Sequence, residues 1–327
     1  MEGAGAGDAT RPVEVGNQGV ARMRIGIDLG GTKTEVAVLD RDGSFVLRRR
    51  RDSPRDDYHA TIDLIAGLVA EAEASVGAQC TVGVGIPGAV SPATGLVKNA
   101  NSAWLNGRAL PQDLQAALGR PVRIQNDANC LAMSEATDGA AAGAYCVLAL
   151  ILGTGVGAGI CIGGQVLAGR NAIAGEWGHN PLPPAMPGAN PPLQTACWCG
   201  RRGCIETWLS GPALARDFAL NDRRAAAREE LVDARRVFRL AEEGDADAAA
   251  AVERWLDRLA GSLATAINLL DPDVVVVGGG LSNATILYRE LTRRWGGHIF
   301  SDRVDTPVLP AAHGDSSGVR GAAWLWP

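Results

Sequence analysis

Four times in this chain an apolar, strand-like run ends in glycine: Met23–Asp28 before Gly30 and Gly31, Thr81–Val84 before Gly85, Tyr145–Leu152 before Gly153, and Val274–Val277 before Gly278, Gly279 and Gly280. A strand that gives way to glycine lets the backbone approach a ligand closely at the carboxyl edge of a sheet. Between these runs lie helical patterns. Ile62, Ile65, Val69, Ala72 and Val76 share one face, and Val252, Trp255, Leu256, Leu259, Leu263, Ile267 and Leu270 form a longer stripe stopped by Asp271 and Pro272. Alternating strands and helices imply an α/β architecture with sheets covered on both faces. A length of 327 residues leaves room for two domains. The first and third glycine runs, about 125 residues apart, head similar units, which points to two related domains with a cleft between them.

Composition removes other classes. The 42 glycines are nearly twice the usual share of roughly 7% but follow no three-residue period, so collagen is excluded. With 46% hydrophobic and 20% charged residues the chain is globular. A net charge of −5, with no basic cluster beyond Arg48 to Arg51, offers no footprint for a phosphate backbone, so nucleic acid is not an expected partner. Residues 1–22 show neither a signal-peptide core nor a hydrophobic period and are expected to be a disordered extension. The stretch from Gly139 to Gly169 carries no charge and is long enough to tempt a membrane assignment, but nine glycines among its thirty-one residues make a poor helix. It reads better as two buried strands around a glycine turn. No membrane partner is expected. A cytoplasmic location is, with the seven cysteines as reduced thiols.

The motifs carry a chemistry. Asp28-Leu29-Gly30-Gly31-Thr32-Lys33-Thr34 follows a strand and offers backbone N–H groups, hydroxyls and an ammonium to a phosphate, with Asp28 placed to hold magnesium through water. The spacing is not that of a Walker A loop, and a hairpin turn is expected in either case. Gly153-Thr154-Gly155-Val156-Gly157 repeats the chemistry, so two glycine loops could grip one polyphosphate across a cleft. Gly83-x-Gly85-x-x-Gly88 matches a dinucleotide fingerprint literally, yet Pro87 interrupts it and Arg108 stands where an acid is needed, so it is read as a turn near the substrate. In Asn126-Asp127-Ala128-Asn129 a carboxylate at a strand end could take the proton from a sugar hydroxyl as it attacks a γ-phosphate; these residues are also good helix caps. Gly175-Glu176-Trp177-Gly178-His179 precedes Cys197-x-Cys199-Gly200-x-x-Gly203-Cys204-x-Glu206, and His179, Cys197, Cys199 and Cys204 would make a closed tetrahedral zinc shell. The metal would fix one ring nitrogen of His179 and leave the other to face a substrate, where Glu176 and Glu206 could accept hydrogen bonds from a polyol. Cys80, Cys130, Cys146 and Cys161 sit singly in apolar runs as core thiols.

These residues together resemble the ROK family of the actin and hexokinase superfamily: DLGGTK at 28–33, NDAN at 126–129, GTGVGAG at 153–159, GEWGH at 175–179, the CxCGxxGCxE segment at 197–206 and VVGGG at 276–280, a likeness covering Arg24 to Pro327. Within the family, RIGIDLGGTKTEV, SPRDDY at 53–58, VKNANSAWLNG, GEWGHNPLP and HGDSSGVRGAAWLWP are similar to bacterial fructokinases of the manno(fructo)kinase type. The resemblance implies a two-domain actin/hexokinase-like, ribonuclease H-like fold. A smaller domain would comprise 23–128 plus a C-terminal helix at 315–327, and a larger one 129–314 with the zinc loop. It implies an ATP- and Mg2+-dependent hexose kinase making fructose 6-phosphate, with mannose also accepted. Glucose, N-acetylglucosamine or N-acetylmannosamine is the alternative acceptor, and a sugar-responsive regulator without its DNA-binding domain a distant one. Asp127 would be the catalytic base; Asn101, Asn126, Asp127, Glu176, His179 and Glu206 would bind the sugar. Asp28, Gly30, Gly31, Thr32, Lys33, Gly153, Thr154, Gly155 and Gly157 would hold the ATP phosphates, and Gly279 and Gly280 would lie near the adenosine. A homodimer is expected. The chain departs from the family in the proline-rich loop Pro181–Ala196, which leaves the zinc ligands in place but alters loop and subunit contacts.

Overall fold

The computed structural model describes residues 23–184, 186, 195–222 and 232–327. The expected disordered extension therefore lies outside the described residues, as does most of the proline-rich loop.

A first sheet contains β1 (Arg24–Leu29), β2 (Lys33–Leu39), β3 (Phe45–Asp52) and β4 (Thr81–Ile86). After the small hairpin of β5 (Ala89–Val90) and β6 (Val97–Lys98) it is completed by β7 (Val122–Asn126). Its order is β3-β2-β1-β4-β7, antiparallel along β3-β2-β1 and parallel from β1 to β7. A second sheet contains β8 (Cys146–Leu152), β9 (Val156–Ile162), β10 (Gln165–Val166), β11 (Val274–Gly278) and β12 (Val308–Pro310). Its order, β10-β9-β8-β11-β12, repeats the first with the same strand directions. Each sheet thus opens with a hairpin whose turn is a glycine loop, as the two glycine runs implied. The charge-free stretch forms the β8–β9 hairpin, and among the described residues no helix is long and apolar enough to cross a membrane.

The helices cover the sheets. α1 (Tyr58–Val76) buries Ile62, Ile65, Val69 and Ala72 in the core of the first sheet, is capped at its start by Asp57 and ends at Gly77, which takes the left-handed conformation (φ 67°). α2 (Leu110–Leu118) adds Leu110 and Leu114. α3 (Asp127–Asp138) places Leu131 and Ala132 against Val147, Ala149, Val274 and Val276 of the second sheet. On its other face that sheet meets α4 (Glu206–Leu209), α5 (Gly211–Asn221), α6 (Ala234–Glu242), α7 (Ala246–Leu270) and α8 (Thr285–Arg294). The apolar stripe predicted from Val252 extends a further six residues upstream to Ala246, because Asp245 caps the helix and accepts from the N–H groups of Asp247 and Ala248.

The last helix, α9 (Ser317–Ala323), returns to the first sheet. Gly26 of β1 and Gly83 of β4, partners across the parallel ladder, are the points of contact. A Cβ at Gly26 would lie 1.9 Å from the Val319 carbonyl oxygen, and one at Gly83 would lie 1.8 Å from that of Ala322. Gly83 therefore serves helix packing. A Cβ at Gly321 would stand 1.7 Å from the Cys130 carbonyl oxygen, so α9 and α3 touch backbone to backbone. Buried Glu135 ties them further, accepting from the Ala312 N–H (2.9 Å) and the Ser317 hydroxyl (2.9 Å). These two helices join the sheets at the base of the cleft.

Candidate active site

β7 runs directly into α3, and Asn126 caps the helix by accepting from the Ala128 N–H at 2.9 Å. With capping done by Asn126, whose amide also donates to the Gly88 carbonyl at 3.0 Å, Asp127 is left to face the cleft. Asn101, Asn126, Asp127, Glu176, His179 and Glu206, the six residues expected to bind a sugar, all line one cavity of about 160 Å³. A larger cavity of about 630 Å³, between β7, α3 and the C-terminal residues, contains none of them. Chemistry, not size, selects the site.

Its electrostatics are set by burial and mutual repulsion. Loss of solvation, opposed by the Ala128 N–H and increased by nearby Glu176, raises Asp127 from 3.8 to about 6. Burial first, and then the negative fields of Asp127 and Glu35, raise Asp28 to about 7. Two carboxylates perturbed toward neutrality at one cleft are what a proton acceptor and a cation-linked group require. Glu35 is neutralised by Arg48 and Arg50, and Glu71 pairs with Arg49 and Arg51 on the opposite face of β3, so the arginine run is consumed within the domain.

The glycine loops stand on either side. In the first, the Gly30 N–H donates to the Lys33 carbonyl (3.0 Å) and Ser53 holds the turn from below through Gly30 and Thr32. Gly31, Thr32 and Lys33 are exposed. In the second, Gly155 and Gly157 line the cavity, and a Cβ at Gly155 would come within 2.6 Å of Glu206 Oε2. Gly157 and Gly159 are also where the sheet meets the first turn of α3, since a Cβ at Gly159 would lie 2.0 Å from the Ala128 carbonyl oxygen. Gly279 sits against Leu152, and Gly280 faces both Gly153 and the Arg235 guanidinium, which continues the same surface away from the cavity. Asp28, Gly30, Gly31, Thr32 and Lys33 do not line the cavity; Asp28 is linked to it through the field it shares with Asp127.

His179, Cys197, Cys199 and Cys204 present ligand atoms that all lie within 4.8 Å of one another. His179 Nδ1 is 3.6 Å from Cys197 Sγ, and Cys199 Sγ is 3.6 Å from Cys204 Sγ. A tetrahedral zinc ion with its usual sulfur and nitrogen distances has ligand-to-ligand edges of about 3.6–3.8 Å, so the donor set fits that ion. His179 Nδ1 faces the thiols, and Nε2 points toward Glu176, 3.9 Å away.

Sequence reasoning missed part of the wall. Asn99, held at φ 57°, and Trp198, between two of the cysteines, both line the cavity, whereas Pro87 and Gly88, which also line it, belong to the segment read from sequence as a turn near the substrate. Asn99 was visible as the first asparagine of an N-A-N triplet; Trp198 stood hidden as the spacer of a ligand motif. The ammonium of Lys98 also reaches across to the Asn171 carbonyl at 2.5 Å, joining the β5–β6 hairpin to the loop after β10.

Comparison with known proteins agrees with this geometry. The sequence model of the ROK family matches residues 24–327. The N-acetyl-D-glucosamine kinase of Photobacterium profundum is 41% identical over 306 residues, covering 93% of this chain and 99% of that protein. The crystal structure of a ROK hexokinase from Thermus thermophilus superimposes with a TM-score of 0.78 at 32% identity, covering 92% of this chain and 97% of the other. A ROK family glucokinase from Streptomyces griseus, in complex with glucose and AMPPNP, gives 0.74 at 29% identity over 93% and 98% of the two chains. The paired sheets and these matches establish the actin/hexokinase-like fold.

Proposed function

The chain belongs to the ROK family, as a sugar kinase, and from that premise we propose that it transfers the γ-phosphoryl group of ATP to the primary hydroxyl of a hexose with Asp127 as the base. One observation carries the reading: one cavity is lined by Asn101, Asn126, Glu176, His179 and Glu206 together with Asp127, a carboxylate raised to about 6, and by Gly155 and Gly157 of a glycine loop. Ionised at neutral pH yet basic enough to accept a proton, Asp127 takes the hydroxyl proton as the sugar oxygen bonds to phosphorus and the bond to ADP breaks. Asn101, Asn126, Glu176, His179 and Glu206 orient the sugar. Backbone N–H groups of Gly31–Lys33 and of Thr154 and Gly155, with the Lys33 ammonium, hold the phosphates, while Gly30, Gly153 and Gly157 shape the two turns. Gly279 and Gly280 border the adenosine. Asp28 would hold Mg2+ through water, and the ion would supply charge neutralisation to the ATP phosphates. Zinc in the Cys197, Cys199, Cys204 and His179 set would lock the loop between Glu176 and Glu206 and orient the imidazole. The division into 23–128 with 315–327 and 129–314, and a homodimer, belong to the same proposal.

The relatives favour N-acetyl-D-glucosamine as acceptor over the fructose expected from the sequence stretches. Fructose stays as the second reading because the cavity, at about 160 Å³, is small and ringed by polar groups. The test is ADP release with ATP and Mg2+ against N-acetylglucosamine, fructose, mannose, glucose and N-acetylmannosamine. The highest kcat/KM is expected for N-acetylglucosamine, a preference for fructose would restore the second reading, and no turnover with any of them would defeat the proposal.

A further inference from the structure

Trp198 is a large aromatic residue left 55% exposed in a cavity that is otherwise largely polar. Its position follows from its neighbours. Cys197 and Cys199 both turn their thiols into the cluster with His179 and Cys204, and the chain between them is a tight turn closed by the Gly200 N–H on the Cys197 carbonyl at 3.1 Å, with Trp198 at its second position. From that turn Trp198 lines the cavity. Its indole N–H donates to Glu206 Oε1 at 2.7 Å, and its ring meets the His179 ring edge-on with centroids 5.0 Å apart. Glu206 Oε2 accepts from the Val156 N–H at 3.0 Å, just past the second glycine loop. Cys197 Sγ also stands 3.7 Å from Oε1, and these contacts together fix the Glu206 carboxylate in place while leaving lone pairs for ligand hydroxyls.

We infer that Trp198 is a specificity-determining residue: it clamps Glu206 for sugar binding and its ring limits the size of the substituent that the sugar presents to that wall of the cavity. The inference rests on reading this cavity as the sugar site. An indole is donor-only, so Glu206 is the acceptor in this pair, and the flat apolar face of the ring is suited to the C–H face of a sugar ring. The clamp acts on sugar affinity. The ring acts on which sugars enter.

Two variants separate these roles. Trp198→Phe keeps a ring and removes the donor; Trp198→Gly removes both and opens the wall. With ATP and Mg2+, Trp198→Phe is expected to raise KM for each accepted sugar about tenfold, the usual effect of losing one charge-assisted hydrogen bond, with KM for ATP and kcat within about twofold. Trp198→Gly is expected to change the ratio of kcat/KM for N-acetylglucosamine to that for glucose by at least about tenfold, toward the bulkier sugar. Metal content and melting temperature of Trp198→Phe should match the wild type, which keeps the test independent of whether Trp198→Gly folds. Unchanged sugar KM in folded Trp198→Phe, or an equal rise in KM for ATP, overturns the inference. If the wild type phosphorylates none of these sugars, the kinase reading has failed instead. Calorimetric titration of the same sugars into wild type and Trp198→Phe then decides the role of Trp198, with equal affinities, or no binding to either, overturning it.

Discussion

Replacing Asp127 by asparagine should abolish turnover and stabilise the fold at once. The side chain is nearly isosteric, and its Oδ1 can still accept the Ala128 N–H that Asp127 receives at 2.8 Å. Turnover should fall by ~10²–10⁴-fold, because proton removal from the attacking hydroxyl loses its acceptor, while KM for sugar and ATP changes little. Stability moves the other way. Burial raises Asp127 from 3.8 to about 6, so the folded state binds that proton more tightly than the unfolded one. The charged form at pH 7 therefore opposes folding by about 3 kcal/mol, which we halve to about 1.5 kcal/mol because water reaches the cleft. For a chain of 327 residues that corresponds to a melting temperature higher by roughly 2 °C in Asp127→Asn. The sign gives a pH window. The wild type loses this stability as pH rises from about 4 through about 6, and below about 4, where both states are protonated, the two proteins should converge. The kcat/KM of the wild type should fall tenfold per pH step below about 6, a limb missing from the variant. Differential scanning calorimetry from pH 4 to 8, beside a coupled ADP assay, measures both; an Asp127→Asn protein that is less stable at pH 7, or that retains turnover, refutes the argument.

Cys199→Ser should lower bound zinc from about one ion per chain, reduce melting temperature and raise KM for sugar more than for ATP, by metal analysis and steady-state kinetics, since the His179 imidazole loses its fixed orientation. Gly321→Ala should cost about 3 kcal/mol or more in urea unfolding, because its Cβ would meet the Cys130 carbonyl at 1.7 Å and neither helix can yield. Lys98→Met should raise KM for sugar severalfold with unchanged kcat, as the bridge from Lys98 to Asn171 beside the cavity is lost; an unchanged KM would assign that contact to packing alone.

The parts of this fold that announce themselves in sequence are local. Gly30-Gly31 and Gly153-x-Gly155 mark the two hairpin turns because a tight loop after a strand needs them, and the spacing of Cys197, Cys199 and Cys204 with His179 upstream marks a donor cluster that could hold a metal ion. What was not legible is long-range. Gly26 and Gly83 sit in strands for the sake of α9, nearly 300 and 240 residues away in the chain, and nothing near either one signals that contact. Trp198 escaped notice for a different reason: its neighbours explain the motif so well that the spacer looked free, and only the turn closed between Cys197 and Gly200 and the hydrogen bond to Glu206 make it the wall of a site. Acceptor choice depends on such wall residues, which explains why the kinase chemistry was readable and the sugar was not.

The central claim, that a sugar oxygen activated at Asp127 attacks the γ-phosphorus in this cleft, is tested most directly by isotope. The accepted hexose, labelled with oxygen-18 at its primary hydroxyl, is incubated with the enzyme, ATP and Mg2+, and the product is observed by phosphorus NMR. The account predicts a sugar phosphate whose resonance carries the upfield shift of a bridging oxygen-18, formed in step with ADP. A phosphate ester without that shift, or release of inorganic phosphate in its place, would contradict it.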